Sequence, residues 1–125
     1  GVADRINFYE SDLLANLADS AIKYDLIIAN LPYIPSSELG SLQIEVQREP
    51  QLALDGGNDG LDLYRRLLPQ ATKFLAVNGC LALEHGYQQR QPLQELVADL
   101  CLNYTALPDL AGWDRILLFQ KQAPL

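Results

Sequence analysis

Four short apolar or β-rich runs along the chain predict β-strands. In sequence letters they are RINFYE, YDLIIAN, CLALEHG and RILLFQ, at residues 5–10, 24–30, 80–86 and 115–120. The second run is almost continuously apolar from Tyr24 to Ala29, which is typical of a parallel strand covered on both faces. The pattern therefore favours a sheet with buried parallel strands.

Between the second and third runs, apolar residues recur every three or four positions and predict an amphipathic helix. These residues are Leu61, Tyr64, Leu67, Leu68, Ala71 and Leu75. Asn58 or Asp59 can cap the start of this helix, and Asn78-Gly79 follows its end. Pro69 lies inside the pattern and is expected to kink the helix or divide it in two.

A second helix is predicted from Pro92 to Cys101, because apolar residues share one face and proline is tolerated in a first turn. Strands that alternate with helices predict an open α/β sheet. In such sheets ligands bind beyond the carboxyl ends of the strands. The tetrapeptide Asn-Leu-Pro-Tyr, at residues 30–33, follows the buried run Tyr24–Ala29 and so lies at a candidate site.

The tetrapeptide carries groups suited to gripping a planar amide. The Asn30 side chain has one carbonyl acceptor and an amide donor. Pro32 restricts Leu31 to an extended conformation, and Tyr33 adds a flat aromatic face.

Composition and charge narrow the possible functions. The 125 residues suffice for one domain, and the formal charge of −7 comes from 16 acidic against 9 basic residues. Nonspecific binding of nucleic acid is therefore not expected. No apolar run approaches the roughly 20 residues that a membrane span needs, so we expect a soluble chain. Cys80 and Cys101 have no paired spacing and are expected to be buried free thiols in a reducing compartment, with no metal site.

Four segments together resemble the HemK/PrmC family, which methylates a glutamine side chain in class I peptide-chain release factors. They are DLIIANLPYI, EVQREPQLALDGGNDGLDLYRRLLP, LALEHG and DLAGWDRILLF, and they span nearly the whole chain. The tetrapeptide alone is moderately specific, because amino-methyltransferases that act on adenine or guanine share it. The long second segment is much more specific.

The resemblance implies a Rossmann-like class I methyltransferase fold and S-adenosylmethionine-dependent methyl transfer to the amide nitrogen of a Gly-Gly-Gln segment. By resemblance, the Asn30 side-chain oxygen and the Leu31 carbonyl accept from the amide, while Pro32 and Tyr33 shape the glutamine slot. It also places Asp12 and Leu13 beside the adenine of the methyl donor, with Asn30 on the cofactor side as well. For Asp12, a cap of the short segment Leu13–Leu17 is the alternative.

Two departures from the family pattern stand out. Leu31 replaces a proline, which keeps the carbonyl but adds an N–H group. The glycine-rich loop after the first sheet strand is absent, so residues 1–125 resemble the carboxyl-terminal part of a methyltransferase domain, with Gly1 in mid-protein. The cluster DGGNDG, residues 55–60, is interpreted as a turn and helix cap. We therefore expect this chain alone to bind the methyl donor weakly or not at all and to be inactive. The missing strands should also leave apolar surface around Tyr24 to Ala29 uncovered, so we expect self-association or local disorder.

The resemblance also implies a localisation and a partner, and two alternative functions stay open. The chain is expected in the cytoplasm, with a release factor as partner. One alternative function is that of a nucleic-acid amino-methyltransferase that holds a flipped base. The other is that of a truncated noncatalytic binding module. His85 is assigned a structural role, and Trp113 is expected to pack a turn before the last strand. Glu45 and Glu49 follow the tetrapeptide and could contact a partner.

Overall fold

A computed structural model describes residues 1–17, 21–100 and 102–123 of the chain. The strands are β1 (Tyr24–Ala29), β2 (Leu75–Glu84), β3 (Leu102–Pro108) and β4 (Asp114–Lys121). The α-helices are α1 (Ile44–Gln47), α2 (Asp62–Phe74) and α3 (Arg90–Val97). Three short 3-10 helices lie at Ala3–Arg5, Ser36–Ser41 and Gln51–Ala53.

The strands form one mixed sheet in the order β1-β2-β4-β3. Strand β1 runs parallel to β2, with α2 in the connection, whereas β4 is antiparallel to both β2 and β3. In the register of the parallel pair, Ala29 lies opposite Leu83. The residue after β1, Asn30, therefore emerges at the edge of the sheet where β2 ends with Glu84. This α/β arrangement is a partial Rossmann-like sheet, as predicted.

Helices α2 and α3 supply one side of the hydrophobic core. Leu81 and Leu83 of β2 and Leu117 and Phe119 of β4 point to this side and are fully buried. The helices contribute the other buried members, chiefly Tyr64, Leu67, Leu68, Ala71, Leu93 and Val97. Alternation along each strand thus directs one set of side chains to the helices and the other set to the opposite face.

The opposite face of β1 is open to solvent. Leu26 is 52% exposed and Ile28 is 73% exposed, although both belong to the apolar run. The prediction that this strand is covered on both faces is therefore wrong for the chain described, because the helices pack against only one face. The resulting apolar surface agrees with the uncovered patch that the family resemblance implied.

Helix α2 largely follows its sequence pattern. All six residues that predicted the helix are buried, including Leu61 and Leu75, which flank it. The buried residues within the helix are Tyr64, Leu67, Leu68, Ala71 and Phe74. Pro69 lies inside one continuous helix, so the predicted division is wrong. The residue at the cap position is Leu61, without a side-chain cap; Asp59 instead accepts a hydrogen bond from the Leu61 N–H, at 3.1 Å.

Three strand assignments differ from the sequence prediction. Residues 6–10 belong to no strand of the described chain, because pairing requires a neighbouring backbone, and Phe8 is 91% exposed there. Strand β3 was missed, since its sequence LNYTALP contains polar residues and ends in proline. Strand β2 starts at Leu75, directly after α2. Asn78-Gly79, which was expected to follow the end of the helix, lies inside this strand at an irregularity of its register with β1.

The remaining sequence expectations concern the second helix, the cysteines and membrane insertion. Helix α3 ends at Val97, short of the predicted Cys101, and Pro92 lies in its first turn as expected. Cys80 is free and half-buried, while Cys101 lies outside the described residues. Among the helices of the described ranges, none is long and apolar enough to cross a membrane.

Candidate functional site

The tetrapeptide Asn30–Tyr33 lines a pocket at the carboxyl end of β1. The pocket has a volume of about 260 Å³, and its other walls include Val46, Glu49, Leu54 and Glu84. Strand β1 delivers Asn30 to the pocket, β2 delivers Glu84, and the connection between β1 and α2 closes the opposite wall. The structure thus brings the four predicted tetrapeptide residues together in one concave site.

Asn30 is solvent-exposed at this site. Among the hydrogen bonds of the described ranges, none uses its side chain, so both its acceptor and its donor are available to a ligand. Leu31 is half-buried and packs against the hydrophobic core. Leucine at this position therefore acts as an apolar anchor for the backbone beside Asn30.

Tyr33 is tied to the end of β2 by its hydroxyl group. It donates to the Glu84 side chain at 3.3 Å, and the fully buried Tyr64 donates to the Glu84 backbone carbonyl at 2.7 Å. Burial, followed by the nearby Glu84 carboxylate, raises the pKa of Tyr33. The pKa of Tyr64 is also raised, mainly by burial. Both hydroxyl groups therefore stay protonated, and serve as donors, at neutral pH.

The segment Asp55–Gly60 is a scaffold for the tetrapeptide. The Ile34 N–H donates to the Leu54 carbonyl at 3.0 Å, and the Gly56 N–H donates back to the Ile34 carbonyl at 2.8 Å. The Ser36 hydroxyl adds a bond to Asp55 at 2.6 Å. The prediction of a turn before α2 is correct, and the sequence reasoning missed that this turn also pairs with the chain leaving the site.

Gln89, at the start of α3, was also missed. The residue is buried, with a relative solvent accessibility of 7%. Its Nε2 donates to the Tyr33 carbonyl at 2.9 Å. Its Oε1 accepts from the Gly86 N–H at 2.8 Å. The local signal available from sequence was a glutamine next to a helix start, which does not reveal a contact 56 residues away.

Asp12 and Leu13 belong to a loop that is docked on α2. The Asp12 carboxylate pairs with Arg66, and the Leu14 N–H donates to Gln70 at 3.0 Å. Leu13 has a positive φ of 54° and packs against the core. Among the described residues, the Asp12 side chain caps no helix and makes no hydrogen bond or ion pair with the tetrapeptide. Its carboxylate is held by Arg66 instead.

The secondary features of the sequence take the following positions. His85 is fully buried, with Nδ1 2.9 Å from the Gly86 carbonyl, in accord with a structural role. Glu49 lines the pocket, whereas Glu45 lies on α1 and is exposed. Trp113 closes the turn before β4 through its backbone N–H, which donates to Asp109 at 2.9 Å. In the described residues, no group of three or more His, Cys, Asp or Glu could hold a metal ion.

The chemistry available at the site is the binding of a small polar group. Asn30 supplies an unused acceptor and donor, and Glu49 and Glu84 are two acidic residues in the pocket lining. Such a pocket suits a ligand that donates hydrogen bonds and carries no negative charge.

Curated relatives match nearly all of the chain. It is 46% identical over 124 residues to a release factor glutamine methyltransferase from Moorella thermoacetica and 43% identical over 127 residues to one from Bradyrhizobium diazoefficiens. These matches cover 98% and 99% of the chain but 43% and 42% of the relatives. A ribosomal protein uL3 glutamine methyltransferase from Francisella tularensis is 38% identical over 117 residues, covering 94% of the chain and 36% of that protein. The chain thus spans less than half the length of these relatives.

Solved structures agree on the fold. A methyltransferase from Pyrococcus furiosus matches with a TM-score of 0.56 and 17% identity, over 82% of this chain and 43% of its own. A release factor-specific protein-(glutamine-N5) methyltransferase from Alicyclobacillus acidocaldarius matches with a TM-score of 0.51 and 23% identity, over 81% and 50%. No protein-family model matches the chain.

Proposed function

The chain belongs by sequence to the HemK/PrmC family of release factor glutamine methyltransferases, and from this premise we propose that it forms the part of such an enzyme that holds the glutamine to be methylated. The observation that carries the proposal is the pocket in which Asn30, exposed and without a side-chain partner among the described residues, meets Tyr33 and Glu84. The substrate is a glutamine in the Gly-Gly-Gln segment of a class I release factor.

The proposed role of the pocket is to orient an amide nitrogen. This nitrogen is a poor nucleophile because its lone pair is delocalised into the carbonyl group. The Asn30 side-chain oxygen and the Leu31 backbone carbonyl accept one hydrogen bond each from the amide, which fixes its direction and raises its electron density. The methylated nitrogen loses a proton readily, so no strong base is required of this chain.

The walls of the pocket account for the choice of amide over acid. Glu49 and Glu84 contribute carboxyl groups, which repel the carboxylate of a glutamate but tolerate the neutral amide of glutamine. Tyr33 covers the slot with its ring, and the hydrogen bond to Glu84 keeps the ring in place. Glutamine specificity then arises partly from repulsion of its acidic analogue.

S-adenosylmethionine, when bound, supplies the methyl group as an electrophile. The residues described here suit its adenine end: Asp12 has a largely exposed side chain with one carboxylate oxygen engaged by Arg66, and Leu13 offers an apolar surface. We propose that Asp12 accepts from the adenine amine and that Leu13 covers the ring, with Asn30 at the methyl end. Methyl transfer itself is proposed for a protein of the length of the curated relatives, less than half of which this chain spans.

The test uses the full-length gene product with a labelled methyl donor. The substrates are a folded class I release factor, its variants with the target glutamine changed to Asn or Glu, ribosomal protein uL3 and duplex DNA. We expect label in the wild-type release factor, strongly reduced label in the Asn variant because the nitrogen is displaced, and none in the Glu variant at that site. Fast labelling of uL3 with a silent release factor would change the substrate, and label in adenine would overturn the glutamine assignment.

A further inference from the structure

We propose that Gln89 is a positioning residue that fixes the tetrapeptide Asn30–Tyr33 for the reaction. The inference rests on the proposed function, since it assigns a role in that reaction to a residue outside the pocket that holds Asn30. Its basis is the set of hydrogen bonds made by one buried side-chain amide.

The Gln89 amide joins three separate parts of the chain. Its Nε2 donates to the Tyr33 carbonyl at 2.9 Å and lies 3.3 Å from the Gly60 carbonyl. Its Oε1 accepts from the Gly86 N–H at 2.8 Å, in the turn that leads from β2 to α3. One side chain therefore connects the tetrapeptide, the scaffold turn before α2 and the end of β2.

The backbone around this amide leaves almost no room for another arrangement. A Cβ atom added at Gly60 would lie 2.2 Å from the Tyr33 carbonyl oxygen and 2.4 Å from the Gln89 Nε2. A Cβ atom at Gly86 would lie 2.9 Å from both the Tyr33 ring and the Gln89 Oε1. Two glycines thus allow the close approach that lets the amide reach the Tyr33 carbonyl.

The position of Asn30 depends on this contact through a short connection. Asn30 follows Ala29, which is fixed by its register with Leu83 in the sheet. Tyr33, three residues later, is fixed by Gln89 at its carbonyl and by Glu84 at its hydroxyl. The intervening Pro32 limits the freedom of the connection. Removal of the Gln89 bond leaves the Tyr33 carbonyl without this donor and loosens one end of the tetrapeptide, although the Tyr33 hydroxyl and Ile34 keep their partners. Displacement of reacting groups by about 1 Å can lower a rate about a hundredfold.

The substitution Gln89→Glu gives the test a pH signature. The new carboxyl group keeps the acceptor for Gly86, but in its ionised form it faces the Tyr33 carbonyl oxygen without a hydrogen. Burial raises the pKa of such a carboxyl above its ordinary value of about 4.3, and the protonated form can donate to Tyr33 again. Gln89→Met removes both polar groups at similar size. Gln120→Glu is the matched control, because Gln120 also donates to a backbone carbonyl, that of Asn78, but is exposed.

In the full-length gene product, at a temperature where all variants are folded by circular dichroism, we expect Gln89→Glu to lower kcat about tenfold to a hundredfold at pH 8. The ratio to wild type should rise as the pH is lowered to 6, with KM for the methyl donor changed less than kcat. Gln89→Met should show a similar loss at every pH, and Gln120→Glu should follow wild type. A pH-independent ratio for Gln89→Glu, or near-normal kcat for Gln89→Met, would overturn the assignment.

A second readout separates this inference from the proposed function. In amide NMR spectra of the 125-residue chain, Gln89→Glu should shift the signals of Asn30, Leu31 and Tyr33 at pH 8, and these should return toward wild type as the pH falls. Gln120→Glu should leave them unchanged. Unshifted signals would contradict the positioning role, whereas shifted signals with a full-length protein that methylates no substrate would contradict the proposed function alone.

Discussion

A glycine series tests whether close approach at the scaffold turn stabilises the site. Gly60 has a φ of +76°, and a Cβ atom there would lie 2.2 Å from the Tyr33 carbonyl oxygen. Gly112 has a similar φ of +85° but no heavy atom within 4 Å of an added Cβ. Gly40 is equally open and does not have a positive φ. Alanine substitutions at the three positions therefore separate backbone strain from steric overlap.

The magnitudes follow from these environments. Gly40→Ala should leave the free energy of unfolding nearly unchanged or raise it slightly, because alanine restricts the unfolded chain. Gly112→Ala should cost about 1–2 kcal/mol for the left-handed backbone alone. Gly60→Ala should cost that amount plus about 1–3 kcal/mol, because the overlap is with a backbone oxygen that cannot rotate away and the bond from Gln89 to Tyr33 must break.

The assay is equilibrium unfolding in urea, followed by far-ultraviolet circular dichroism and by tyrosine and tryptophan fluorescence. Coincident transitions from the two probes establish that a single free energy of unfolding applies. The expected order of stability is Gly40→Ala, then Gly112→Ala, then Gly60→Ala as the least stable. Equal stabilities for the Gly112 and Gly60 variants would refute the inference that the turn is fitted to the Tyr33 carbonyl.

Three further predictions concern the site and the hydrogen bonds beside it. In the full-length gene product, Asn30→Ala should lower kcat about a hundredfold or more while affecting methyl-donor affinity less. Asn103→Ala, at an exposed asparagine, should leave the steady-state kinetics unchanged. A near-normal kcat for the Asn30 variant would mean that the tetrapeptide only ends the strand. Tyr64→Phe should lower the free energy of unfolding in urea by about 1–3 kcal/mol, because the Glu84 carbonyl loses its donor. Tyr104→Phe, at a half-exposed tyrosine, should change it by almost nothing. Because the pKa values of Tyr33 and Tyr64 are raised in the folded protein, the free energy of unfolding should fall as the pH rises above about 10, and less steeply in the Tyr64 variant. The Arg65 guanidinium lowers the pKa of Asp59 to about 2, so this ion pair stabilises the fold above pH 3.8 and its contribution should be lost as the pH falls toward 2. Asp59→Asn should remove that part of the acid-induced decline in the free energy of unfolding. Identical plots of the free energy of unfolding against pH for wild type and variant would contradict the pairing.

Local patterns predicted most of the elements that carry the site. The spacing of Leu61, Tyr64 and Leu68 predicted α2 because one face of a helix repeats every three or four residues, and these residues are buried. The apolar run before Asn30 predicted β1 and placed the tetrapeptide at its carboxyl end, where the pocket lies. Both inferences depend on neighbours in sequence.

Long-range contacts could not be predicted in the same way. Whether residues 5–10 form a strand depends on a partner strand, and their apolar composition contains no information about its presence. Likewise, Gln89 reaches Tyr33 across 56 residues, so its polar composition predicts only a surface position near a helix start. The contacts that fix Tyr33 are properties of the packed chain rather than of any local pattern.

The central position of β4 has a consequence for how the protein is made. Strand β4 is the last strand of the described chain, yet it lies between β2 and β3. On the ribosome, β2 and β3 therefore emerge before the strand that joins them, and their backbone groups on the facing edges stay hydrated until residues 114–121 are available. A pause in translation after Pro108 would hold a nascent chain with two unpaired strand edges, which is the state most open to chaperones and to misassociation.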